Sequence, residues 1–161
     1  MLDYDAAIGY VKTRPEVDTA RIGLFGYSTG AYLSFTVAAK RSDIRAFAGR
    51  GLISSFAEVI PIVNALFPER PVRRRPRGYP EDLEPVNAAP RMRSAVFLVV
   101  GEKDNRTPPW MSQKVIDRLN APHELWIVPE GEHGGMDAPE YKNYPQFFIR
   151  LSAFYHKYLG M

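Results

Sequence analysis

The sequence contains no cysteine among its 161 residues. Disulfide bonds, thiolate nucleophiles and cysteine-ligated zinc sites are therefore excluded. Long hydrophobic runs are also missing, since the longest, such as Ala95–Val100, fall far below the roughly 18 residues that a membrane span needs. The acidic N-terminus carries no basic segment followed by an apolar one, so no signal peptide is visible and we expect a cytoplasmic location.

Charge is nearly balanced, with 21 basic and 18 acidic side chains and a formal net charge of +3. The basic excess is concentrated in the run Arg70–Arg77. Such a run can mark a surface for anionic partners, but no aromatic residues interleave with it and no nucleic-acid motif accompanies it. We therefore favour a solvated Pro/Arg loop over a binding patch, and we expect neither nucleic acid nor membrane as a partner.

The composition, 45% hydrophobic and 24% charged, is that of one globular domain. Helical and strand patterns alternate along the chain, which favours a parallel sheet covered by helices. The predicted strands are Arg21–Tyr27, a segment within Ile44–Ile53, Ala95–Val100 and Glu124–Val128. The predicted helices include Thr29–Lys40, Phe56–Phe67 with an interruption or restart at Pro61, Pro108–Leu119 and Tyr144–Tyr158, and Pro68–Pro90 is expected to be irregular.

The first chemical signal is Gly26-Tyr27-Ser28-Thr29-Gly30, which has the Gly-x-Ser-x-Gly pattern of a nucleophile elbow. A serine at a sharp turn from strand to helix projects its hydroxyl above the sheet. The flanking glycines let the strand and the helix approach each other closely. Here the pattern follows a predicted strand and opens a predicted helix, which is the context that the motif requires.

Two further polar residues follow predicted strands. Asp104 comes after the third strand, and His133 lies in the glycine-rich segment Gly131–Gly135 after the fourth. Taken singly, each has a simpler explanation, because an aspartate in a loop often caps the following helix and a lone histidine is more often structural. His123 and His156 keep that structural interpretation, since one begins a predicted strand and the other lies on the last predicted helix.

Taken together, Ser28, Asp104 and His133 favour a catalytic triad over three unrelated residues. All three follow strands at the carboxyl edge of one predicted parallel sheet, where catalytic groups collect. Their order in the chain is Ser, Asp, His, as in α/β hydrolases. His133 would take the proton of Ser28 and return it to the leaving group, and Asp104 would hold the His133 tautomer.

The chain resembles the C-terminal part of an α/β hydrolase, and most of all the dienelactone-hydrolase and prolyl-oligopeptidase-like branch. Three segments carry the resemblance: Arg14–Gly30, Val99–Pro108 and Gly131–Gly134. The resemblance covers essentially the whole chain and implies a serine hydrolase, but it does not settle the substrate.

The resemblance also implies a truncated fold. Such hydrolases have about eight strands with the nucleophile after the fifth, whereas only 27 residues precede Ser28. The parts without sequence include a loop that supplies one of the two oxyanion N–H donors, while the other donor would be Thr29. We expect a truncated α/β-hydrolase fold of roughly four parallel strands flanked by helices, as a single domain over residues 1–161. The chain would then be a fragment of a larger protein, a natural minimal version of the fold, or a chain that finds its missing parts in another molecule.

The function expected from these residues is a serine carboxylester hydrolase that acts on small or short-chain esters through an acyl-enzyme on Ser28. No metal or cofactor is expected. Tyr27 and Trp110 are candidates for the substrate pocket. The alternatives are a serine peptidase of the prolyl-oligopeptidase type and an assembly or binding module that keeps the triad without turnover.

The first predicted strand indicates that the chain associates with another protein chain. Without upstream neighbours, Arg21–Tyr27 would form an exposed sheet edge with unpaired N–H and C=O groups beside apolar side chains. Pairing with a second copy across a two-fold axis would satisfy that edge. We therefore expect a homodimer or higher oligomer formed through Arg21–Tyr27.

Overall fold

The computed structural model of the protein describes residues 2–72 and 78–160. Residues 73–77, which make up most of the basic run Arg70–Arg77, lie outside the described residues, so the prediction of a solvated loop there is untested. Arg70 itself is exposed.

Helices and strands alternate through most of the chain, as their sequence periodicity predicts. The strands are β1 (Ile22–Tyr27), β2 (Ile44–Arg50), β3 (Ala95–Gly101) and β4 (His123–Val128). The α-helices are α1 (Leu2–Lys12), α2 (Thr29–Lys40), α3 (Phe56–Leu66), α4 (Pro85–Ala88), α5 (Pro109–Ile116), α6 (Pro139–Lys142) and α7 (Gln146–Leu159).

The four strands form one parallel sheet in the order β1-β2-β3-β4. Because every strand runs the same way, their carboxyl ends meet at one edge, where Tyr27 pairs with Arg50 and Gly101 with Val128. The predicted fold class, a truncated α/β-hydrolase fold with four parallel strands flanked by helices, is confirmed.

The sheet separates two apolar layers. Along β3, Val96 and Leu98 face one cluster while Phe97 and Val99 face the other, which is the two-residue alternation of a strand buried on both sides. Helices α1, α2 and α5 pack on the first face, and α7 packs on the second. The sheet, including the edge where the carboxyl ends of the strands meet, is thus packed from both sides.

Two sequence expectations are corrected by the structure. Pro61 neither interrupts nor restarts a helix, because α3 runs through it from the Ser55 cap, whose hydroxyl accepts the N–H of Glu58. The stretch Pro68–Pro90, expected to be irregular, contains α4 and a short 3₁₀ turn before it. Apolar residues of α3 such as Val59 pack on the core, which outweighs the local cost of Pro61, whereas Pro85 stands in the first turn of α4, where proline is tolerated.

The outer edge of β1 has no strand beside it among the described residues. Phe25 on this strand is half exposed, whereas Ile22 is buried. No helix in residues 2–72 and 78–160 is long and apolar enough to cross a membrane.

Candidate active site

Ser28 lies at the turn from β1 to α2, in a strained backbone conformation. Its φ of 51° and ψ of −118° fall in a region that L-residues rarely adopt. The turn is held from both sides, because the N–H of Ser28 donates to Arg50 O at 2.8 Å and its carbonyl accepts the N–H of Tyr32 at 3.1 Å. Strain that the surroundings enforce in this way is typical of a functional position.

Gly26 shows why this turn needs glycine. A Cβ at this position would lie 2.5 Å from Gly30 O and 2.6 Å from the Cα of Ala31. Both contacts are with backbone atoms of the strand-helix turn, which have little room to move aside. The close approach that the Gly-x-Ser-x-Gly pattern predicts is therefore present.

The structure brings Ser28, His133 and Asp104 together, although they lie far apart in the sequence. His133 Nε2 lies 3.1 Å from Ser28 Oγ, and His133 Nδ1 lies 2.8 Å from Asp104 Oδ2. His133 and Asp104 are almost fully buried. The imidazole therefore bridges the hydroxyl and the carboxylate, with one ring nitrogen facing each.

Asp104 is held by the loop that follows β3. Its Oδ1 accepts the backbone N–H groups of Arg106 at 2.9 Å and Thr107 at 2.8 Å. Burial by itself raises the pKa of the Asp104 carboxyl, but the hydrogen bonds from His133 and Thr107 outweigh it and leave the pKa below its usual value. Asp104 thus stays ionised near neutral pH. The alternative role as a helix cap is wrong, because the residue at the N-cap of α5 is Pro108.

Thr107 is a site residue that sequence reasoning missed. Its hydroxyl donates to Asp104 Oδ2 at 2.8 Å and lies 3.2 Å from His133 Nδ1. The signal that could have found it is its position three residues after Asp104, where a Ser or Thr closes a turn around an aspartate side chain. Thr107 fixes the carboxylate on the side that faces the imidazole.

Thr29 is the first residue of α2, so its backbone N–H is not used by the helix. It lies at the positive end of the helix dipole, directly after the serine. This is the place that the sequence predicts for one oxyanion donor.

A cavity of about 610 Å³ opens beside His133. Its lining includes Tyr27, Phe67 and the charged residues Arg106 and Glu132, together with His133 but not Ser28. Trp110, half exposed on the first turn of α5, does not line this cavity, so its place in a substrate pocket stays a prediction. Two other cavities, of about 670 and 730 Å³, are lined by neither Ser28 nor His133.

The other two histidines lie outside the site, as the sequence predicts. His123 begins β4 and is exposed, with Nδ1 2.9 Å from Ala121 O. His156 is exposed on α7. In the part of the chain that the structure describes, no three His, Asp or Glu side chains are grouped so that they could hold a metal ion.

Comparison with known proteins places the chain in a family. The model of the prolyl oligopeptidase family matches residues 1–161. The uncharacterized protein YfhR of Escherichia coli K12 is 29% identical over 136 residues, which cover 81% of this chain and 44% of YfhR.

Solved structures show the same fold. A puromycin-hydrolyzing peptidase of Mycobacterium tuberculosis superposes with a TM-score of 0.81 at 22% identity, over 99% of this chain and 25% of its own. Acetyl xylan esterase 1 of Thermoanaerobacterium sp. JW/SL YS485 superposes with a TM-score of 0.71 at 21% identity, over 97% of this chain and 51% of its own. The chain therefore spans between a quarter and about half of the length of these relatives. The resemblance inferred from the sequence is confirmed, and the chain belongs to the prolyl oligopeptidase family of serine hydrolases.

Proposed function

We propose that Ser28, His133 and Asp104 act as a catalytic triad, and that the protein hydrolyses small or short-chain carboxylic esters through an acyl-enzyme on Ser28. One observation carries the proposal. A buried carboxylate, an imidazole and a serine hydroxyl at a strained elbow lie within hydrogen-bond distance of one another in succession, with separations of 2.8 and 3.1 Å. Structural hydrogen bonds alone do not require the backbone strain at Ser28.

The chemistry follows from the proton positions. With its proton on Nδ1, His133 donates to Asp104 and leaves the Nε2 lone pair facing Ser28. Ser28 Oγ attacks the ester carbonyl carbon while its proton moves to Nε2, and Asp104 stabilises the resulting imidazolium. His133 then gives this proton to the alcohol oxygen as the C–O bond breaks. A water molecule, deprotonated by His133 in the same way, then attacks the acyl-enzyme. The bond between the acyl group and Ser28 breaks, His133 returns the proton to Ser28 Oγ, and the acid is released.

The negative charge that develops on the carbonyl oxygen needs donors. The free N–H of Thr29 at the start of α2 is the donor that this chain offers next to Ser28. The helix dipole adds to its effect.

The cavity beside His133 supports a small and polar substrate. Arg106 and Glu132 contribute charges to its lining, whereas a long acyl chain needs a predominantly apolar tunnel. The acetyl xylan esterase among the similar structures is consistent with a short acyl group.

A peptidase is the second candidate, because a puromycin-hydrolyzing peptidase shares the fold and the family model is that of prolyl oligopeptidases. The same triad serves an amide, with His133 protonating the amine that leaves. Comparing kcat/KM for p-nitrophenyl acetate with that for aminoacyl p-nitroanilides separates the two. A preference for the anilides would replace the esterase proposal with the peptidase.

The test of hydrolysis uses steady-state turnover of p-nitrophenyl acetate by the purified protein and by its Ser28→Ala variant. We expect turnover to fall by about 10⁴-fold or more in Ser28→Ala, with an unchanged circular dichroism spectrum. Ser42→Ala, which removes an exposed hydroxyl away from His133, is the matched control and retains full activity. A Ser28→Ala protein with more than about a tenth of wild-type activity would refute the nucleophile. If a fluorophosphonate labels Ser28 of the wild-type protein stoichiometrically but p-nitrophenyl acetate is not turned over, the result would favour the binding module instead.

A further inference from the structure

Arg50, at the carboxyl end of β2, is a buried cation beside the site that the triad does not use. Its side chain is only 5% exposed. Nη1 donates to the backbone carbonyl of His133 at 2.7 Å, and Nη2 donates to Glu140 Oε1 at 2.8 Å. Burying a guanidinium is costly unless it is paired and hydrogen-bonded, so this position is specified by its partners.

A second donor reaches the same carbonyl. The hydroxyl of Tyr27 donates to His133 O at 2.9 Å, and the guanidinium of Arg50 stacks on the Tyr27 ring at 3.7 Å from its centroid. Side chains from the ends of β1 and β2 therefore converge on one main-chain oxygen, and Glu140 on α6 pairs with the Arg50 guanidinium that makes one of these two contacts.

The segment that carries His133 needs such support. Glycine stands at 131, 134 and 135, and Gly135 has a φ of 73°. Glycines leave the backbone with many accessible conformations, so the loop sequence does not by itself fix the imidazole. Both catalytic contacts depend on the ring position, and a misplacement of about 1 Å costs about 10²-fold in rate.

We propose that Arg50 is a positioning residue: together with Tyr27 and Glu140 it holds the His133 main chain so that the imidazole stays between Asp104 and Ser28. This inference rests on the proposed function. Arg50 touches neither Ser28 Oγ nor the imidazole nitrogens, so it acts through the carbonyl of His133 and not on the substrate.

The kinetic test compares Arg50→Ala with Arg41→Ala. Arg41 is the matched control, because its guanidinium is also held by two partners, the carboxylates of Asp5 at 2.9 Å and Asp43 at 2.7 Å, but it does not contact His133. At a temperature where both variants are fully folded, we expect kcat of Arg50→Ala to fall about 10²-fold with KM within about twofold. Arg41→Ala keeps the wild-type kcat. Millimolar guanidinium chloride restores part of the Arg50→Ala activity, and sodium chloride at the same concentration does not.

A second readout does not depend on turnover. The proton between His133 Nδ1 and Asp104 gives a low-field proton NMR signal when the imidazole is held against the carboxylate. We expect this signal in wild type and Arg41→Ala, and its loss by exchange in Arg50→Ala. If wild type shows this signal but no turnover, the proposed function fails while the positioning of His133 is still tested.

Tyr27→Phe covers the case in which Arg50→Ala does not fold. It removes one donor to the His133 carbonyl and keeps the ring on which Arg50 stacks. We expect a severalfold lower kcat and faster exchange of the low-field proton. A folded Arg50→Ala protein with wild-type kcat and an intact low-field signal would overturn the inference. If Arg50→Ala does not fold, an unchanged kcat and an unchanged low-field signal in Tyr27→Phe would overturn it.

Discussion

Replacing Asp104 with asparagine tests the electrostatic part of the site while keeping its shape. In the wild type, Oδ1 accepts two backbone N–H groups and Oδ2 faces Thr107 and His133. The asparagine oxygen keeps the two backbone donors, so the amide nitrogen turns toward His133 Nδ1. An N–H at that position forces the imidazole proton to Nε2, where it faces Ser28.

The expected effect on rate is large. With its proton on Nε2, the imidazole donates to Ser28 Oγ and can no longer accept the serine proton. Loss of the correct tautomer in this way costs about 10⁴-fold in kcat. The effect on stability is smaller, because the number of hydrogen bonds is nearly conserved and only their charge assistance is lost. We expect the free energy of unfolding at pH 7 to fall by about 1–3 kcal/mol.

The assay is kcat for p-nitrophenyl acetate, with urea unfolding measured on the same samples. Asp137→Asn is the control, since Asp137 lies in the same loop as His133 and pairs with Lys142 at 2.7 Å at the surface. This control should keep its activity. An Asp104→Asn protein that is folded and within about tenfold of wild-type kcat would refute the role of the carboxylate in setting the tautomer.

The remaining predictions concern the histidines, acid stability and assembly. His133→Ala should lose about 10⁴-fold or more in kcat, whereas the exposed His123→Ala and His156→Ala should stay within about threefold, and equal losses would refute the assignment. Hydrogen bonds from arginine and lysine hold the pKa of Asp43 far below its usual value, so its stabilisation is present above about pH 4 and is lost as the pH falls further. Asp43→Asn should therefore cost about 1–2 kcal/mol in urea unfolding at pH 7 and less at pH 3, and a pH-independent difference would contradict this. The outer edge of β1, which has no neighbouring strand among the described residues, should pair with a second copy of the 161-residue chain. Leu24→Glu should therefore reduce both association and activity, with folding checked by circular dichroism. A fully active monomer in sedimentation at micromolar concentration would contradict that proposal.

Much of the fold could be predicted because its signals are local. The apolar run at Ala95–Val100 has few alternatives to a buried strand, and β3 spans Ala95–Gly101. The elbow is local as well, since Gly26 and Ser28 specify a turn that few other residues can form. The continuity of α3 through Pro61 cannot be predicted locally, because the packing of α3 on the core is not visible in its own sequence.

The supporting residues of the site could not be predicted for the same physical reason. Arg50 lies 83 positions from His133, and only the parallel pairing of the strands brings the end of β2 to the loop after β4. Glu140 contacts Arg50 across 90 positions. The sequence can reveal Ser28, Asp104 and His133 because the chemistry restricts their residue types and their order in the chain. A buried arginine has no such signature.

Active-site labelling tests whether Ser28 is the nucleophile. The protein is treated with a fluorophosphonate, digested, and the adduct is located by mass spectrometry among the eight serines. We expect one adduct, on Ser28, that forms in the folded protein, does not form after unfolding in urea and forms much more slowly in His133→Ala. Labelling of a different serine, or no labelling of the folded protein, would contradict this expectation.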